Sequence, residues 1–204
     1  MIICKYSDGL AVLTIERTHK ANSLTEEMLQ QLYANFVKIA NIPELRAVIV
    51  TGAGKVFSAG ADLDEVKAGL AVSPWWEKLS AQVAAMPCLT IAALNGTLAG
   101  GAFGMALACD LRIAVPDARF FYPVMRLGFL PQPSDPQRLR ALIGAARAKM
   151  ILMAGQKISA PEALAWGLVD RLVAPDQLMD VAVDLCADVR AAKAGLTGGI
   201  KQLI

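Results

Sequence analysis

Two segments decide the fold: Phe57-Ser58-Ala59-Gly60-Ala61-Asp62-Leu63 and Asn95-Gly96-Thr97-Leu98-Ala99-Gly100-Gly101-Ala102. Each is a turn of small residues that follows an apolar, strand-like run and leads into a helix-like stretch. A chain that repeats strand, glycine turn and helix is typical of layered α/β proteins. Such turns expose backbone N–H groups, and two of them together can bind an oxyanion. The pattern therefore predicts an α/β fold and indicates acyl-thioester chemistry.

The composition indicates one sizeable globular domain without nucleic-acid or metal partners. The 204 residues are 55% hydrophobic and 19% charged, which favours a substantial buried core and excludes wholesale disorder. The net charge is +2 without a long basic cluster, which argues against nucleic-acid binding. The four cysteines are scattered without metal-ligand spacing, and the N-terminus lacks the pattern of a signal peptide. We therefore expect a cytoplasmic protein with no metal site.

The segment 88–109 raises the question of a membrane span, because it contains no charged residue and is long enough to cross a bilayer. Its glycines at 96, 100 and 104 also follow the small-xxx-small pattern of membrane helices. However, the pair Asn95-Gly96 is a turn signal in the middle of the segment. We therefore predict a buried strand over 89–94, followed by a buried helix, and no membrane span.

The remaining apolar periodicity predicts alternating strands and helices and shows no strong domain boundary, so the chain is predicted to form a single domain over 1–204. Thr25 is expected to cap a helix whose apolar stripe includes Met28, Leu32 and Phe36. Strands or extended segments are predicted over 10–16, 46–51, 89–94, 111–115, 119–122 and 168–173. Helices are predicted over 62–67, 74–86, 137–143, 145–154, 161–166 and 176–192.

Each glycine turn has a structural and a functional interpretation. Ala59-Gly60-Ala61-Asp62 can be a turn that ends in a helix cap at Asp62, or it can leave the N–H of Ala61 free to bind an oxygen. Gly100-Gly101-Ala102 can provide tight packing at a helix start, or it can direct N–H groups at an anion. Neither a P-loop nor a Gly-x-Gly-x-x-Gly dinucleotide fingerprint is present.

Further motifs, read in order with the two turns, carry a resemblance to a known family. They are Lys20-Ala21-Asn22-Ser23-Leu24, Cys109-Asp110-Leu111-Arg112-Ile113-Ala114, Leu127-Gly128, Gln137-Arg138-Leu139, Ile143-Gly144 and the segment 158–169. From about residue 10 to the end, the chain resembles the enoyl-CoA hydratase/isomerase (crotonase) family. Because both order and spacing are kept, the motifs together are highly specific.

The resemblance implies a crotonase-like stack of ββα units, assembled as a homotrimer or a dimer of trimers. It implies an acyl-CoA ligand, in keeping with fatty acid metabolism, and no other cofactor. The thioester carbonyl would lie between the backbone N–H groups of Ala61 and Gly101, which would form the oxyanion hole. The positions that correspond to CoA-contacting loops are Lys20, Ala21, Ala59 and Leu63.

The chain departs from the hydratase pattern at both acid–base positions. The resemblance places the two glutamates of hydratases at Gly104 and Val124, and neither residue can transfer a proton. One general acid or base typically contributes ~10²–10⁴ in rate, so losing both disfavours efficient hydration. We expect double-bond isomerisation, decarboxylation or a weak hydratase activity, and an isomerase- or lyase-type reaction rather than standard hydration. The alternatives are a non-catalytic acyl-CoA-binding module and a structural subunit with a filled pocket.

Two other side chains are candidates for proton transfer. Asp135 either faces the acyl pocket or caps the helix that begins near Pro136. Tyr122 either donates a proton or is a core aromatic residue with a satisfied hydroxyl. One of the tryptophans Trp75 and Trp76 can contact the acyl chain, or both can pack in the core. From about residue 195 onward, we expect the helical cover typical of the family to be short or missing.

Overall fold

The computed structural model of the protein describes residues 1–204. Its strands, β1 to β10 in chain order, are Ile2–Ser7, Leu10–Ile15, Ala47–Gly52, Val56–Ser58, Leu89–Leu94, Thr97–Ala99, Leu111–Ala114, Arg119–Phe121, Ile158–Ser159 and Arg171–Leu172. Its helices, α1 to α10, are Glu26–Ala40, Leu63–Val66, Trp75–Ala84, Ala102–Ala108, Val124–Leu127, Asp135–Leu152, Ala160–Trp166, Leu178–Asp184, Ala187–Ala191 and Leu196–Leu203.

The strands form two sheets. The larger has six strands in the order β1-β2-β3-β5-β7-β10, and the smaller has four in the order β4-β6-β8-β9. The pairs β1–β2 and β8–β9 are antiparallel, and all other neighbours are parallel. Every residue of β3 is buried, which agrees with its continuous apolar sequence and is typical of parallel strands covered on both faces.

A ββα unit occurs three times, as β3-β4-α2, β5-β6-α4 and β7-β8-α5. In each unit, the first strand belongs to the larger sheet and the second to the smaller sheet. The predicted stack of ββα units is therefore confirmed. Because β4, β6 and β8 are neighbouring parallel strands, the turns that follow them meet at one edge of the smaller sheet, where α/β proteins commonly bind ligands.

Helix α1 shows why the local predictions succeed. Thr25 Oγ1 accepts a hydrogen bond from the Met28 N–H at 3.2 Å, as expected of an N-cap. The predicted apolar stripe is buried, and Leu32 and Phe36 are fully inaccessible to solvent. Burial of side chains of this size contributes about 1.5–3 kcal/mol each relative to exposure. The helix is thus specified both by its cap and by one apolar face.

Several elements differ from the predictions. Strands β1, β4 and β9 and helices α5 and α10 are absent from the predictions. The residues of β1 are only partly buried and carry a weak pattern. The helix predicted over 176–192 is wrong as a single element. The N–H of Cys186 bonds the Val183 carbonyl three residues back, and this tight spacing separates α8 from α9. The helix predicted after 94 is shortened, since β6 occupies 97–99.

The predicted break within α6 and the predicted strand before the second turn are matched. Gly144 interrupts α6 with a φ of +78°, where the sequence predicts a break between two helices. The segment 89–94 is a buried strand as predicted, and no helix of the structure combines the length and apolarity needed to cross a membrane. Residues from 196 onward form α10, which Lys201 holds by hydrogen bonds to the Cys88 carbonyl and to Asp110.

Candidate active site

The two glycine turns are packed directly against each other. Gly60 has a φ of +92° and Gly100 a φ of +55°, which are left-handed conformations that favour glycine. A β-carbon on Gly60 would lie 2.8 Å from the Ala99 carbonyl oxygen, too close for any side chain. The sequence therefore needs glycine at 60 for both its conformation and its contact. The neighbouring strands β4 and β6 bring the turns together.

In these turns, the backbone N–H groups of Ala61 and Gly101 have no hydrogen-bond acceptor within the protein. The N–H groups of Ala59, Gly60 and Asp62 bond to Ala21, Ser58 and Leu24, and the N–H of Gly100 bonds to the Phe121 carbonyl. Ala61 and Gly101 donate no hydrogen bond. Nearly all backbone donors that are removed from water are paired in native proteins, so two free donors in adjacent turns are suited to an external oxygen.

A cavity of about 220 Å³ lies against the two turns. It is lined mainly by apolar and aromatic residues: Ala59, Ala61, Leu63, Val66, Ala71, Trp76, Ala99, Gly100, Gly101, Phe121, Tyr122, Pro123, Arg126, Leu127, Phe129, Leu130 and Gln132. Its lining is typical of small-molecule sites, in which a few polar groups orient an otherwise apolar ligand. No side chain of the protein fills this cavity. This argues against the alternative of a structural subunit, which would have a filled pocket.

Trp76 forms the wall behind the second turn. Its ring atoms lie 3.0 Å from the position that a β-carbon on Gly101 would occupy, and its Nε1–H donates to the Leu70 carbonyl at 2.8 Å. Trp75, in contrast, packs edge-to-face on Tyr33 with the ring centroids 5.5 Å apart. Of the two tryptophans, only Trp76 reaches the cavity.

Asp62 holds the first turn in place. Its carboxylate accepts the Asp64 N–H at 2.9 Å, as a helix cap, and forms a salt bridge with Arg17. Arg17 also donates to Ser23 Oγ at 3.0 Å, so the loop before α1 is joined to the turn. The hydrogen bond from Arg17 is the largest cause that lowers the pKa of Asp62 below its ordinary value. The predicted cap is confirmed, and Asp62 has a structural role.

The two candidate proton-transfer residues are in contact, but only one reaches the cavity. Tyr122 lines it and donates its hydroxyl proton to Asp135 Oδ2 at 2.9 Å. Asp135 is fully buried behind Tyr122 and is the first residue of α6. Both interpretations of Asp135 are therefore wrong in detail: its side chain neither lines the cavity nor caps the helix.

Burial is the main cause that raises the pKa of Asp135 to about 7. The Tyr122 hydrogen bond and the Arg138 charge lower it, whereas the Glu77 charge raises it. Burial is also the main cause that raises the pKa of Tyr122, followed by the Asp135 charge, so Tyr122 holds its proton at neutral pH. The pair therefore combines Tyr122, a protonated residue that lines the cavity, with a carboxyl behind it that changes charge near neutrality.

Comparison with known proteins decides the family. A model of the enoyl-CoA hydratase/isomerase family matches residues 5–197. The chain belongs to the enoyl-CoA hydratase/isomerase family. The chain is 37% identical over 190 residues to the short-chain-enoyl-CoA hydratase of Clostridium acetobutylicum, an alignment that covers 90% of this chain and 73% of that protein.

Another relative is named for a different reaction. The chain is 30% identical to the 1,2-epoxyphenylacetyl-CoA isomerase of Escherichia coli, over 100% of this chain and 81% of that protein. The crystal structure of the enoyl-CoA hydratase from Bacillus anthracis superposes with a TM-score of 0.89 at 31% identity, over 98% of this chain and 81% of that chain. The protein is therefore an enzyme of this family, whose members share a fold and carry out more than one reaction.

The two positions that the resemblance assigns to the hydratase glutamates are buried residues within helices. Gly104 is in the middle of α4, and Val124 begins α5. The structure does not supply another glutamate in their place, because the cavity lining contains no carboxylate side chain. Nor does any group of three or more histidine, cysteine, aspartate or glutamate residues form a metal site.

Of the four positions expected to contact CoA, two line the cavity and two do not. Ala59 and Leu63 line the cavity, and Leu63 is 73% exposed at its mouth. Lys20 and Ala21 do not line it. The Ala21 carbonyl instead holds the Ala59 N–H at 3.0 Å, and Lys20 Nζ lies 3.2 Å from Asp64 Oδ2 on the exposed surface. The first group borders the cavity directly, and the second lies on the adjoining loop.

Several residues of the cavity were absent from the predicted site, among them Arg126, Phe129, Leu130 and Gln132. Arg126 lies in α5, and Phe129, Leu130 and Gln132 follow in the segment that connects α5 with α6. Their sequence carries no periodicity and no motif that would place them there. Their position follows from where the third ββα unit ends, which is a property of the assembled sheet.

Proposed function

We propose that this protein binds an acyl-CoA thioester and stabilises its enolate with the N–H groups of Ala61 and Gly101. The observation that carries the proposal is that these two donors are both free and both border one apolar cavity. When the carbon next to a thioester loses a proton, negative charge develops on the carbonyl oxygen. Donors that are already oriented stabilise this charge, and losing one typically costs ~10²–10³ in rate.

The reaction we propose is an isomerase- or lyase-type conversion through this enolate, rather than standard hydration. Hydration needs a side chain that deprotonates water, and Gly104 and Val124 cannot do so. The proposed CoA contacts are Lys20, Ala21, Ala59 and Leu63, where an exposed lysine suits the anionic nucleotide. A cytoplasmic location and a homotrimer or dimer of trimers belong to the same proposal. A non-catalytic acyl-CoA-binding module is the alternative, although the cavity wall includes the titratable Tyr122.

The experiment is a titration with a panel of saturated and unsaturated acyl-CoAs that records both the binding heat and the products. In parallel, saturated acyl-CoAs are incubated with the protein in D₂O, and deuterium at the α-carbon is measured by mass spectrometry. A CoA thioether, which lacks the carbonyl oxygen, is the matched control ligand. We expect binding of both ligands and deuterium uptake only with the thioester.

Each outcome separates the candidate functions. Deuterium uptake with slow or undetectable hydration of crotonyl-CoA supports the proposal. Binding without uptake or turnover of any acyl-CoA supports the binding module instead. Rapid hydration of crotonyl-CoA would overturn the argument from Gly104 and Val124, and a failure to bind any acyl-CoA would overturn both functions.

A further inference from the structure

The carboxyl group of Asp135 is fully buried and has few polar partners. Its side chain has no exposed surface, and Tyr122 is the only side chain that donates a hydrogen bond to it. Oδ1 has no hydrogen-bond partner, and the nearest cation, Arg138 Nη1, is 3.9 Å away and also unpartnered. A buried carboxylate with an unpaired oxygen destabilises a fold, so a group of this kind is a candidate for function.

The absence of a side chain at Gly104 makes room for Asp135. A β-carbon on Gly104 would lie 2.9 Å from Asp135 Oδ1, a separation that real β-carbons essentially never show. The carboxyl of Asp135 on α6 therefore occupies the space next to α4 that any side chain at 104 would need. The loss of a glutamate at 104 and the presence of an aspartate at 135 are thus sterically linked in this chain.

Tyr122 connects this carboxyl with the cavity. Its ring stacks on Phe103 with the centroids 5.4 Å apart and the planes at 23°, which fixes the direction of the hydroxyl. The hydroxyl donates to Asp135 Oδ2 and accepts the Gln132 N–H at 3.4 Å. Tyr122 and Gly101 line the same cavity.

We propose that Tyr122 and Asp135 form a proton relay, in which Tyr122 exchanges a proton with the acyl group and Asp135 stores it. Tyr122 would be the catalytic residue, and Asp135 the positioning residue that acts through it. This inference rests on the proposed acyl-CoA function and adds the acid–base group that Gly104 and Val124 lack. It requires an acyl group with an acidic C–H bond close to the Tyr122 hydroxyl.

The relay balances without a further reactant. A C–H bond of the acyl group breaks, and its electron pair enters the thioester enolate. The proton bonds to the Tyr122 oxygen while the hydroxyl's own proton passes to Asp135 Oδ2. One negative charge thereby moves from the Asp135 carboxylate to the enolate oxygen at Ala61 and Gly101. The reverse transfer at a different carbon restores the carboxylate and completes a double-bond shift.

The charges around Asp135 agree with this exchange. The titratable and charged groups that face it are Tyr122, Glu77 of α3 and Arg138 of α6, and α4 contributes none. Glu77 is itself held by the N–H and the hydroxyl of Ser134, next to Asp135. Because the pKa of Asp135 is raised to about 7, its charged and neutral forms are both populated at neutral pH.

The experiment measures deuterium exchange into the acyl group of a bound acyl-CoA, from D₂O, as a function of pH. The variants are Tyr122→Phe, Asp135→Asn and the double variant, all nearly equal in volume to the native side chains. Tyr33→Phe and Asp176→Asn are the matched controls, since Tyr33 packs on Trp75 and Asp176 is exposed. Asp135→Glu keeps a carboxyl group on a longer side chain. It tests whether part of the exchange that is lost in Asp135→Asn is restored. Acyl-CoA affinity is measured for every variant.

We expect each single variant to lose ~10²–10⁴ in exchange rate, with affinity changed less than a few fold. The double variant should be no slower than the slower single variant, because both changes break one path. The native exchange rate should rise with pH through neutrality, and this dependence should vanish in Asp135→Asn.

Native-like exchange in Tyr122→Phe or Asp135→Asn would overturn the relay, and so would losses that multiply in the double variant. If the native protein bound no acyl-CoA or exchanged no proton, the proposed function itself would fail. If the native protein exchanges and Tyr122→Phe exchanges equally fast, only the relay fails. The two proposals are therefore tested separately by the same measurement.

Discussion

Gly60 and Gly100 lie in direct contact, since the α-carbon of Gly100 is 3.2 Å from the position that a β-carbon on Gly60 would occupy. This contact joins the two turns whose free N–H groups border the cavity. A side chain at Gly60 would clash with the Ala99 carbonyl oxygen and would push the two donors apart. A β-carbon on Gly100 would make only an ordinary contact, 3.5 Å from the Gly60 α-carbon, and Gly100 is favoured instead by its positive φ.

The first prediction concerns this contact. Gly60→Ala should lose ~10²-fold in acyl-CoA proton exchange, because small displacements of reacting groups are costly. The control is Gly69→Ala, whose φ of +103° is equally unfavourable but whose β-carbon would meet no atom within 4 Å. Both variants should lose about 1–3 kcal/mol of unfolding free energy from backbone strain. Denaturant unfolding and the exchange assay check this, and equal activity in both variants would contradict it.

The second prediction concerns the donor at Gly101. Its φ of −60° is compatible with proline, so Gly101→Pro removes the N–H at an acceptable backbone angle. Gly101→Ala keeps the N–H while placing a similar β-carbon against Trp76. We expect Gly101→Pro to be slower than Gly101→Ala by ~10²–10³ in turnover. Similar turnover in the two variants would show that packing against Trp76, and not the donor, determines the rate.

The third prediction concerns the stability effect of Asp135. The pKa of Asp135 is raised to about 7 in the folded protein. The effect of Asp135 on the free energy of unfolding is therefore most favourable below about pH 4, and it is lost as the pH rises to about 7. Asp135→Asn should therefore be more stable than the native protein at pH 8, with a difference that changes by at most about 1.4 kcal/mol per pH unit. Unfolding curves between pH 4 and pH 8 measure it. Asp176→Asn, at an exposed aspartate, is the control.

The fourth prediction concerns Asp62, whose effect on stability changes with pH in the opposite direction. Its pKa is lowered in the folded protein, chiefly by the hydrogen bond from Arg17, so its stabilising effect is present at neutral pH and is lost as the pH falls below about 4. Asp62→Asn should have a lower melting temperature at pH 7 and approach the native protein at pH 3. A constant difference between the two proteins across this range would contradict the assignment.

Much of the fold could be predicted because its signals are local. The cap at Thr25, the stripe of α1 and the break at Gly144 each depend on residues within a few positions of each other. The predictions failed where spacing was ambiguous, as in the split between α8 and α9, or where the pattern was weak, as in β1. Periodicity describes which face is buried, and an edge strand with partly exposed faces has little periodicity to read.

For the site, the sequence alone determined the two small-residue turns, their order and the absence of glutamates at Gly104 and Val124. These features are local in the chain and survive without knowledge of the fold. Only the tertiary structure decided that Asp135 bonds Tyr122 and lies against Gly104, and that Trp76 backs Gly101. These contacts join residues far apart in sequence. They arise because β4, β6 and β8 are neighbours in one sheet, and that pairing depends on the whole chain.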